Sequence, residues 1–396
     1  MSIKIGMCGV GSFAECFIPL FAAHPLVDEV VLCDLDERKL QEKSERFGIP
    51  ATCPSLDELC QTDVDAIAII TQNWMHGPQA VQALRAGKHV YSAVPSAISM
   101  DEITELVRAV EQTGLIYMIG ETSYYYPCAI YCRRRFRNGD FGKIVYGEGE
   151  YYHDWDHGLY AVAQWRGGEN WLQTAGGPPM YYPTHSVSMI VSATGAHATH
   201  VSCFGFVDEH EDGIYKPEIN MWHNRFSNES ALFSMSDGSV MRINEFRRIG
   251  HPGTVGLSLY GTEGSYEEQA NAKVWVTKNR EEMVDLGELL APVGVPAKPE
   301  GAMAAVTSAD GTHHGVSQVH DVSRLPKEFI GLPNGHLGSH QFLVDDFVTA
   351  CVSGQQPPNN VWQAARYLIP GLIAHDSAEA GGELLPVPDL GGGPMP

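Results

Sequence analysis

The chain has 396 residues, of which 44% are hydrophobic and 19% are charged, a composition typical of a folded protein with more than one domain. Its 26 Lys and Arg residues are outweighed by 48 Asp and Glu residues, and the net charge of −22 argues against nucleic acid or an anionic membrane surface as a partner. No apolar stretch reaches the roughly 20 residues of a membrane-spanning helix, and the sequence opens on a strand pattern rather than a signal peptide, so we expect a cytoplasmic protein.

The first motif is a glycine-rich turn between an apolar strand over residues 3–8 and an apolar-periodic helix. Gly9 permits a tight turn, Gly11 lets the backbone approach a pyrophosphate, and Ala14 allows the helix to pack closely on the sheet. We expect the N-terminus of this helix to attract the phosphate charge. Asp34 ends the second strand, where a carboxylate accepts hydrogen bonds from the adenosine ribose hydroxyls. The motif predicts a dinucleotide site.

The choice between NAD and NADP depends on the charge beside the ribose. A carboxylate at Asp34 repels a phosphate on the ribose and therefore favours NAD. Asp36 competes for the same role, and nearby Arg38 is the type of residue that accommodates a ribose phosphate. We predict NAD as the cofactor, with Asp34 as the residue that binds the ribose.

Strands and helices alternate as far as residue 119. Helices are predicted over 37–47, 77–86 and 100–113, and strands over 30–33, 66–70, 89–91 and 116–119. This alternation predicts an α/β fold, with a Rossmann-type, doubly wound parallel sheet in a domain over residues 1–125. In such sheets the ligand lies at the carboxyl ends of the strands. We therefore expect these residues in the cofactor site: Thr71, Asn73, His76, Ser92, Pro95 and Glu121.

The sequence changes character near residue 125. Long segments with period-two alternation predict a second α/β domain over residues 126–396 with a large, mostly antiparallel open sheet, one face toward the active site and the other covered or oligomeric. Such a face favours a homodimer or homotetramer. Residues 289–335 are rich in Pro, Gly, Ala and His and predict a long loop or arm. Helices predicted over 342–352 and 361–375 could pack back on the first domain.

Cysteine and histidine spacing argues against a metal site. The nine cysteines are scattered and never form Cys-x-x-Cys, so we expect reduced, mostly buried thiols. His336 and His340 have the spacing of a zinc pair on a helix, but Gly338 between them opposes a helix. We expect a loop lining the substrate pocket and no bound metal.

Two further segments carry a family resemblance. The pattern Thr71-x-Asn73-x-x-His76, followed by Ala-Gly-Lys-His-Val over 86–90, resembles the Gfo/Idh/MocA oxidoreductases. Those proteins usually have Glu-Lys-Pro after this strand, and the lysine takes part in proton relay at the sugar hydroxyl being oxidised. Here the sequence reads Ala-Val-Pro over 93–95, which argues against a conventional sugar dehydrogenase.

Within that family the chain is similar to the NAD-dependent glycoside hydrolases. That group has a Val-Pro loop, a Glu and Tyr at a strand end, a Tyr-x-His-Asp strand, Trp-Arg and a Tyr-Pro-Thr-His segment. Ala93 and Thr122 depart from its N-acetylgalactosaminidase branch, so the resemblance implies the chemistry more than that specificity. The matching positions are Glu121, Tyr125, Tyr151, His153, Trp165, Arg166, Tyr182 and His185.

The resemblance implies hydrolysis through transient oxidation of the sugar, an exception to the usual two-carboxylate mechanism. Hydride transfer from C3 to NAD acidifies the C2 proton, the aglycone leaves by elimination, water adds to C1, and the hydride returns. We assign His185 to the C3 hydroxyl, Tyr151 to the C2 proton, and Tyr182 to substrate binding or proton relay.

The resemblance also places residues around that chemistry. It implies that Tyr125, His153 and Arg166 contact the substrate and that Trp165 contacts NAD. Substrates of this group include sulfoquinovosides and N-acetylhexosaminides. Two other functions stay open: an NAD-dependent sugar or sugar-acid dehydrogenase, and a catalytically silent nucleotide-binding sensor.

Overall fold

The computed structural model describes residues 2–293 and 312–393, which fold into two compact units. The first unit comprises Met1–Pro127, Leu289–Ala365 and Leu390–Pro396, and the second comprises Cys128–Glu288 and Arg366–Asp389. The boundary that we predicted after residue 125 therefore marks one of several crossings of the chain between the units. Part of the stretch predicted as a loop or arm returns to the first unit, while its residues 294–311 lie outside the described residues.

The secondary structure follows the predicted order. The strands of the described residues are β1 Ile3–Cys8, β2 Val27–Cys33, β3 Thr52–Cys53, β4 Ala66–Ile69, β5 His89–Ser92, β6 Tyr117–Ile119, β7 Ile144–Tyr152, β8 Ala198–Val207, β9 Phe226–Met235, β10 Val240–Phe246, β11 Thr254–Gly261, β12 Gly264–Gln269, β13 Ala272–Thr277, β14 Val284–Asp285 and β15 Leu385–Pro386. The helices are α1 Ile18–Ala23, α2 Glu37–Phe47, α3 Leu56–Leu59, α4 His76–Arg85, α5 Met100–Thr113, α6 Pro127–Arg137, α7 Leu159–Gly167, α8 Trp171–Ala175, α9 Thr184–Thr194, α10 Gly287–Leu290, α11 Ser339–Ser353 and α12 Val361–Glu379.

A parallel six-stranded sheet forms the centre of the first unit, with strand order β3-β2-β1-β4-β5-β6. Its central strands are buried on both faces, as a doubly wound sheet requires, and Ile5 and Ile67 are fully inaccessible. Polar caps fix the helices around it: the Ser99 hydroxyl accepts the Glu102 N–H at the start of α5, and Gly114 ends that helix in the left-handed conformation. The predicted Rossmann-type fold is confirmed.

The first helix differs from the prediction. The glycine turn leads into a single 3₁₀ turn, Ala14–Cys16, and α1 begins only at Ile18. Pro19 lies in the first turn of α1, where its missing N–H costs nothing, and this position favours a helix start just before it. With only six residues in α1, the expected contribution of a helix N-terminus to phosphate binding is not supported, and the backbone of the turn must provide it.

The second unit contains a nine-stranded sheet with order β14-β13-β12-β11-β7-β10-β9-β8-β15. The pairing is mostly antiparallel, as predicted, but β7 and β10 run parallel, with Tyr151 opposite Glu245. One face of this sheet carries Phe204 and Leu232, which are 64% and 52% exposed. The other face carries helix α9.

Helix α9 lies unusually close to β7. A Cβ atom on Gly149 would come within 2.6 Å of the Ser186 carbonyl oxygen, and one on Gly147 would lie 3.3 Å from the Ile190 side chain. Only a strand without side chains at these inward positions allows this approach. The close contact sets the start of α9 against the carboxyl end of β7, where His185 and Tyr151 lie.

The cysteines are all free thiols, and eight of the nine are buried, in agreement with the expectation of small buried hydrophobic residues. Within the described residues we find no helix with both the length and the apolar character to cross a membrane.

We predict that Gly149→Ala destabilises the protein. Its Cβ would meet backbone at Ser186 and the Ile243 side chain, so helix α9 has to move outward, at a cost of about 1–3 kcal/mol in the free energy of unfolding. Urea denaturation measures the change. Gly256→Ala is the matched control, because its nearest neighbour lies at an ordinary 3.4 Å. Equal destabilisation by both substitutions would contradict the close-packing interpretation.

Candidate active site

The glycine turn is held between two strand ends of the first unit. Gly9 has φ +90°, and a Cβ atom there would come within 2.4 Å of the Ile70 carbonyl oxygen, so no other residue fits. Its N–H donates to the Cys33 carbonyl at 2.8 Å. The turn containing Gly11 and leading to buried Ala14 therefore has a fixed place at the carboxyl edge of the sheet.

Asp34 lies directly against this turn. Its Oδ2 accepts the Val10 N–H at 3.0 Å, and its Oδ1 accepts the Asp36 N–H at 3.0 Å. Asp36, by contrast, accepts the N–H groups of Arg38 and Lys39 and caps helix α2. The structure thus separates the two candidates: Asp34 is the carboxylate beside the glycine turn, and Asp36 belongs to the helix. These groups fit the ribose and pyrophosphate of a dinucleotide.

His76 joins two of the predicted cofactor loops. Its buried ring has Nδ1 2.8 Å from the Pro95 carbonyl oxygen and Nε2 3.2 Å from the Thr71 carbonyl oxygen. Asn73 is half-buried in the short turn before α4. The buried hydroxyl of Ser92 donates to the carbonyl of Ala93 within the second loop. The ring of His76 therefore fixes the loops after β4 and β5 relative to one another.

Glu121 is fully buried after β6. Its Oε1 accepts both the N–H and the hydroxyl of Ser123, at 2.9 and 2.7 Å, which shapes the turn that follows the strand. All the predicted cofactor residues of the first unit therefore lie at the carboxyl ends of its parallel strands, as expected for this fold.

Tyr125 is bonded within the first unit. Its hydroxyl donates to Asp346 and accepts from Arg324 Nη2 at 2.9 Å, and its ring stacks on Phe342 with centroids 5.0 Å apart. Burial, followed by the charge of Asp346, raises the pKa of Tyr125 well above its usual value, so the phenol stays protonated. These contacts of the hydroxyl hold the loop after β6 in place. Sequence reasoning missed Arg324, because it lies in the stretch assigned to a loop and no local pattern marks it.

His336 and His340 form a pair of rings. His336 lies in a left-handed turn with φ +49°, and its Nδ1 is 2.9 Å from Nε2 of His340 in the first turn of α11. Both rings contact Phe13 of the glycine turn at centroid distances of 5.7 Å. Burial lowers the pKa of His340 well below its usual value and keeps it neutral. Among the described residues no group of three or more metal-binding side chains occurs.

The predicted catalytic residues of the second unit form one cluster. The ring of Tyr151 lies 5.5 Å from that of buried His185 and 6.0 Å from that of Tyr182, and Tyr182 and His185 are 5.4 Å apart. The Tyr151 hydroxyl is 3.1 Å from Nδ1 of His153. Burial, with help from the charge of Arg247, lowers the pKa of His153 to about 4, so this ring is neutral at physiological pH.

A buried charged pair supports this cluster, and the sequence alone did not reveal it. Glu245 Oε2 is 3.1 Å from Arg247 Nη2, and Glu245 Oε1 accepts the hydroxyl of Ser186 at 2.6 Å. Burial raises the pKa of Glu245 to about 7, against the opposing effect of Arg247. The two side chains follow the period-two alternation at the end of β10, which was the available signal, but nothing in the sequence indicated that charges point inward here.

Trp165 and Arg166 lie on the exposed side of α7 in the second unit. Through its other side, α7 packs with α8 on a small core formed by Trp155, Ile214 and Tyr215.

The glycine turn, the carboxylate at Asp34 and the parallel sheet define a dinucleotide-binding oxidoreductase fold. Residues 3–121 match the protein family described as "Oxidoreductase family, NAD-binding Rossmann fold". Residues 133–325 match the family described as "Oxidoreductase family, C-terminal alpha/beta domain". The chain belongs to the Gfo/Idh/MocA oxidoreductase family, and its cofactor is NAD.

Curated relatives carry a more specific name. Two, from Streptomyces filamentosus and Streptomyces niveus, are glycosyl hydrolase family 109 proteins, 24% and 26% identical; each comparison covers 98% of this chain and 77% of the relative. An alpha-N-acetylgalactosaminidase from Bacteroides fragilis is 26% identical over 49% of each chain. Among solved structures, a levoglucosan dehydrogenase with NADH and levoglucosan has a TM-score of 0.74 at 17% identity, covering 98% of this chain and 100% of that chain.

We predict that the protein binds NAD more tightly than NADP and that Asp34→Asn removes most of this preference. The substitution keeps the side-chain shape but removes the negative charge that repels a ribose phosphate. Calorimetric titration with both dinucleotides measures the ratio of affinities. Asp36→Asn is the matched control and leaves the ratio unchanged, since Asp36 caps α2. Tighter binding of NADP by the unaltered protein would contradict the role of Asp34.

Proposed function

We propose that this protein is an NAD-dependent glycoside hydrolase that acts through transient oxidation of the sugar at C3, with no net redox change. The observation that carries the proposal is the contact cluster of Tyr151, Tyr182 and His185. An ordinary glycosidase needs two carboxylates beside the scissile bond, whereas this cluster offers phenols and imidazoles. Glu245, the strand partner of Tyr151, is buried and bound by Arg247 and Ser186.

Each residue of the cluster has a part in the proposed reaction. His185 accepts the proton of the C3 hydroxyl as that carbon is oxidised, and returns it on re-reduction. Tyr151 removes the C2 proton that the adjacent ketone has acidified, so that the leaving group departs from C1 by elimination. Tyr182 binds the substrate or relays a proton. Neutral His153, beside the Tyr151 hydroxyl, is proposed to contact the substrate edge of the site.

The first unit holds the cofactor in this proposal. Gly9 and Gly11 admit the pyrophosphate, and Asp34 binds the adenosine ribose. Bound NAD would supply reversible hydride transfer at C3 of the sugar. The other residues proposed to line the cofactor are Ala14, Thr71, Asn73, His76, Ser92, Pro95, Glu121 and, from the second unit, Trp165.

The proposed substrates are sulfoquinovosides or N-acetylhexosaminides, with Arg166 as a substrate contact. The relatives named glycosyl hydrolase family 109 protein support a glycosidase. The alternative is an NAD-dependent sugar or sugar-acid dehydrogenase, the activity named for the levoglucosan dehydrogenase of similar fold. Val94, at the position of the usual proton-relay lysine, favours the hydrolase.

We also propose a homodimer or homotetramer in the cytoplasm. The exposed Phe204 and Leu232 on the outer face of the nine-stranded sheet support an interface there, because monomers rarely expose neighbouring large apolar groups on a strand pair. Nine free thiols suit a reducing compartment. Light scattering would give the subunit number, and a monomer would contradict this interface.

Hydrolysis of an aryl glycoside in deuterated water distinguishes the two enzymatic functions. The hydrolase should release aglycone continuously while the absorbance of reduced nicotinamide stays near the enzyme concentration. The free sugar should carry deuterium at C2, where Tyr151 exchanges a proton, but not at C3, where hydrogen moves as hydride. Stoichiometric accumulation of reduced cofactor without aglycone would favour the dehydrogenase, and hydrolysis without deuterium at C2 would contradict the elimination mechanism.

We predict that His185→Ala lowers turnover on the order of 100-fold or more, since that is the usual contribution of a proton-transfer group. NAD affinity should not change, because His185 is not among the residues proposed to bind the cofactor. Steady-state kinetics and calorimetry measure the two quantities. His200→Ala, an exposed histidine on β8, is the control and should retain full turnover. Full turnover in His185→Ala would mean that the cluster is structural.

A further inference from the structure

The charged pair Glu245 and Arg247 lies directly behind the proposed base. Glu245 is the strand partner of Tyr151 in the parallel pairing of β10 with β7, so the two side chains emerge on the same face. Arg247 follows two residues later and points to that face as well. Both side chains are buried, with exposures of 0% and 9%. Burying a charge is costly unless it is paired, and this pair satisfies the requirement at the edge of the catalytic cluster.

Arg247 is fixed over the ring of Tyr151. The centre of its guanidinium lies 4.7 Å from the ring centroid. Its Nη1 donates to the carbonyls of Phe246 and Tyr151 at 3.2 and 3.4 Å, and its backbone N–H donates to the side chain of Asn228 at 2.9 Å. With Glu245 bound to Nη2, the guanidinium has little freedom to move away from the ring.

We propose that Arg247 is an electrostatic positioning residue that stabilises the phenolate of Tyr151, and that Glu245 sets how much of its positive charge the phenolate experiences. This rests on the proposed role of Tyr151 as the C2 base. A tyrosine can accept a carbon-bound proton only as its phenolate, and an unperturbed phenol ionises near pH 10. A cation held 4.7 Å from the ring centroid favours the ionised form, because the negative charge of a phenolate is partly delocalised over the ring.

Other groups around Tyr151 act on the same equilibrium. His153 lies on the same strand and is held neutral, so it contributes a hydrogen-bond partner but no charge. His185 from α9 and Tyr182 from the turn before it complete the cluster. On the far side of the pair, Tyr215 lies near Arg247 and its hydroxyl accepts the Trp155 indole N–H. Among these groups Arg247 is the permanent cation.

If this proposal is correct, substitutions of Arg247 and of Glu245 shift the pKa of Tyr151 in opposite directions. Removing the positive charge should make Tyr151 harder to ionise, and removing the negative charge should make it easier. Since burial raises the pKa of Glu245 to about 7, its charge is partly lost near neutral pH, which strengthens the effect of Arg247 on the acid side of that value. A merely structural pair would not give shifts of opposite sign.

The test follows the ionisation of Tyr151 directly, without substrate. The full-length protein is labelled with carbon-13 at the tyrosine Cζ, the Tyr151 signal is assigned by its loss in Tyr151→Phe, and its titration is followed by NMR. We expect Arg247→Met to raise the midpoint by about one pH unit or more and Glu245→Gln to lower it, while Arg247→Lys stays near the unaltered protein. NAD binding by the first unit and circular dichroism verify folding of each variant.

The outcomes separate this proposal from the proposed function. Unchanged midpoints, or shifts in the same direction in Arg247→Met and Glu245→Gln, would overturn the electrostatic role. If Arg247→Met fails to fold, Glu245→Gln alone must still lower the midpoint, and no shift there overturns the proposal. Failure of the proposed glycosidase function would be detected by a different measurement, because the unaltered protein would then release no aglycone.

Discussion

The second unit is organised by the separation between helix α9 and strand β7. Gly149 leaves room for the Ser186 carbonyl to approach the strand, and every side chain at the start of α9 is placed by that contact. His185 precedes Ser186 and therefore lies against Tyr151 at the end of the strand. A helix displaced by even a methyl group would separate the imidazole from the phenol, and proton-transfer groups tolerate little displacement. The absence of a side chain at Gly147 and Gly149 is thus a condition for the chemistry.

Ser186 links the packing of helix α9 to the electrostatics of the site. The Ser186 carbonyl faces Gly149, while its hydroxyl donates to Glu245, which in turn holds Arg247 over Tyr151. The helix position and the charge behind the phenol are therefore not independent. The chain as a whole is strongly acidic, but in its interior carboxylates are used to hold guanidinium groups against aromatic rings, and a tyrosine lies at each of two such places, Tyr125 and Tyr151.

The sequence predicted most of the first unit and the identity of the cluster residues because these depend on local patterns. The helices over 37–47 and 100–113 have the predicted bounds, since capping residues and glycines mark them. The start of α1 was missed because Pro19 outweighed the apolar periodicity after the glycine turn. Arg247 could not be recognised as functional, because its burial and its contact with Tyr151 depend on parallel pairing of β7 with β10, which no local pattern specifies.

The hydrogen bond between Tyr125 and Arg324 spans 199 positions of the sequence, and the larger part of the second unit, residues 128–288, lies between them in the chain. During synthesis the loop after β6 leaves the ribosome long before its anchor, so the nucleotide-binding unit remains incomplete until residue 324 of the 396 has been made. The second unit is incomplete at that stage as well, because it also contains residues 366–389, which include β15 and the end of α12. A fragment ending near residue 127 would contain the six strands of the parallel sheet but lack the guanidinium that holds this loop. Nonsense or truncation products would thus have the nucleotide-binding motif in their sequence without a completed site in their fold.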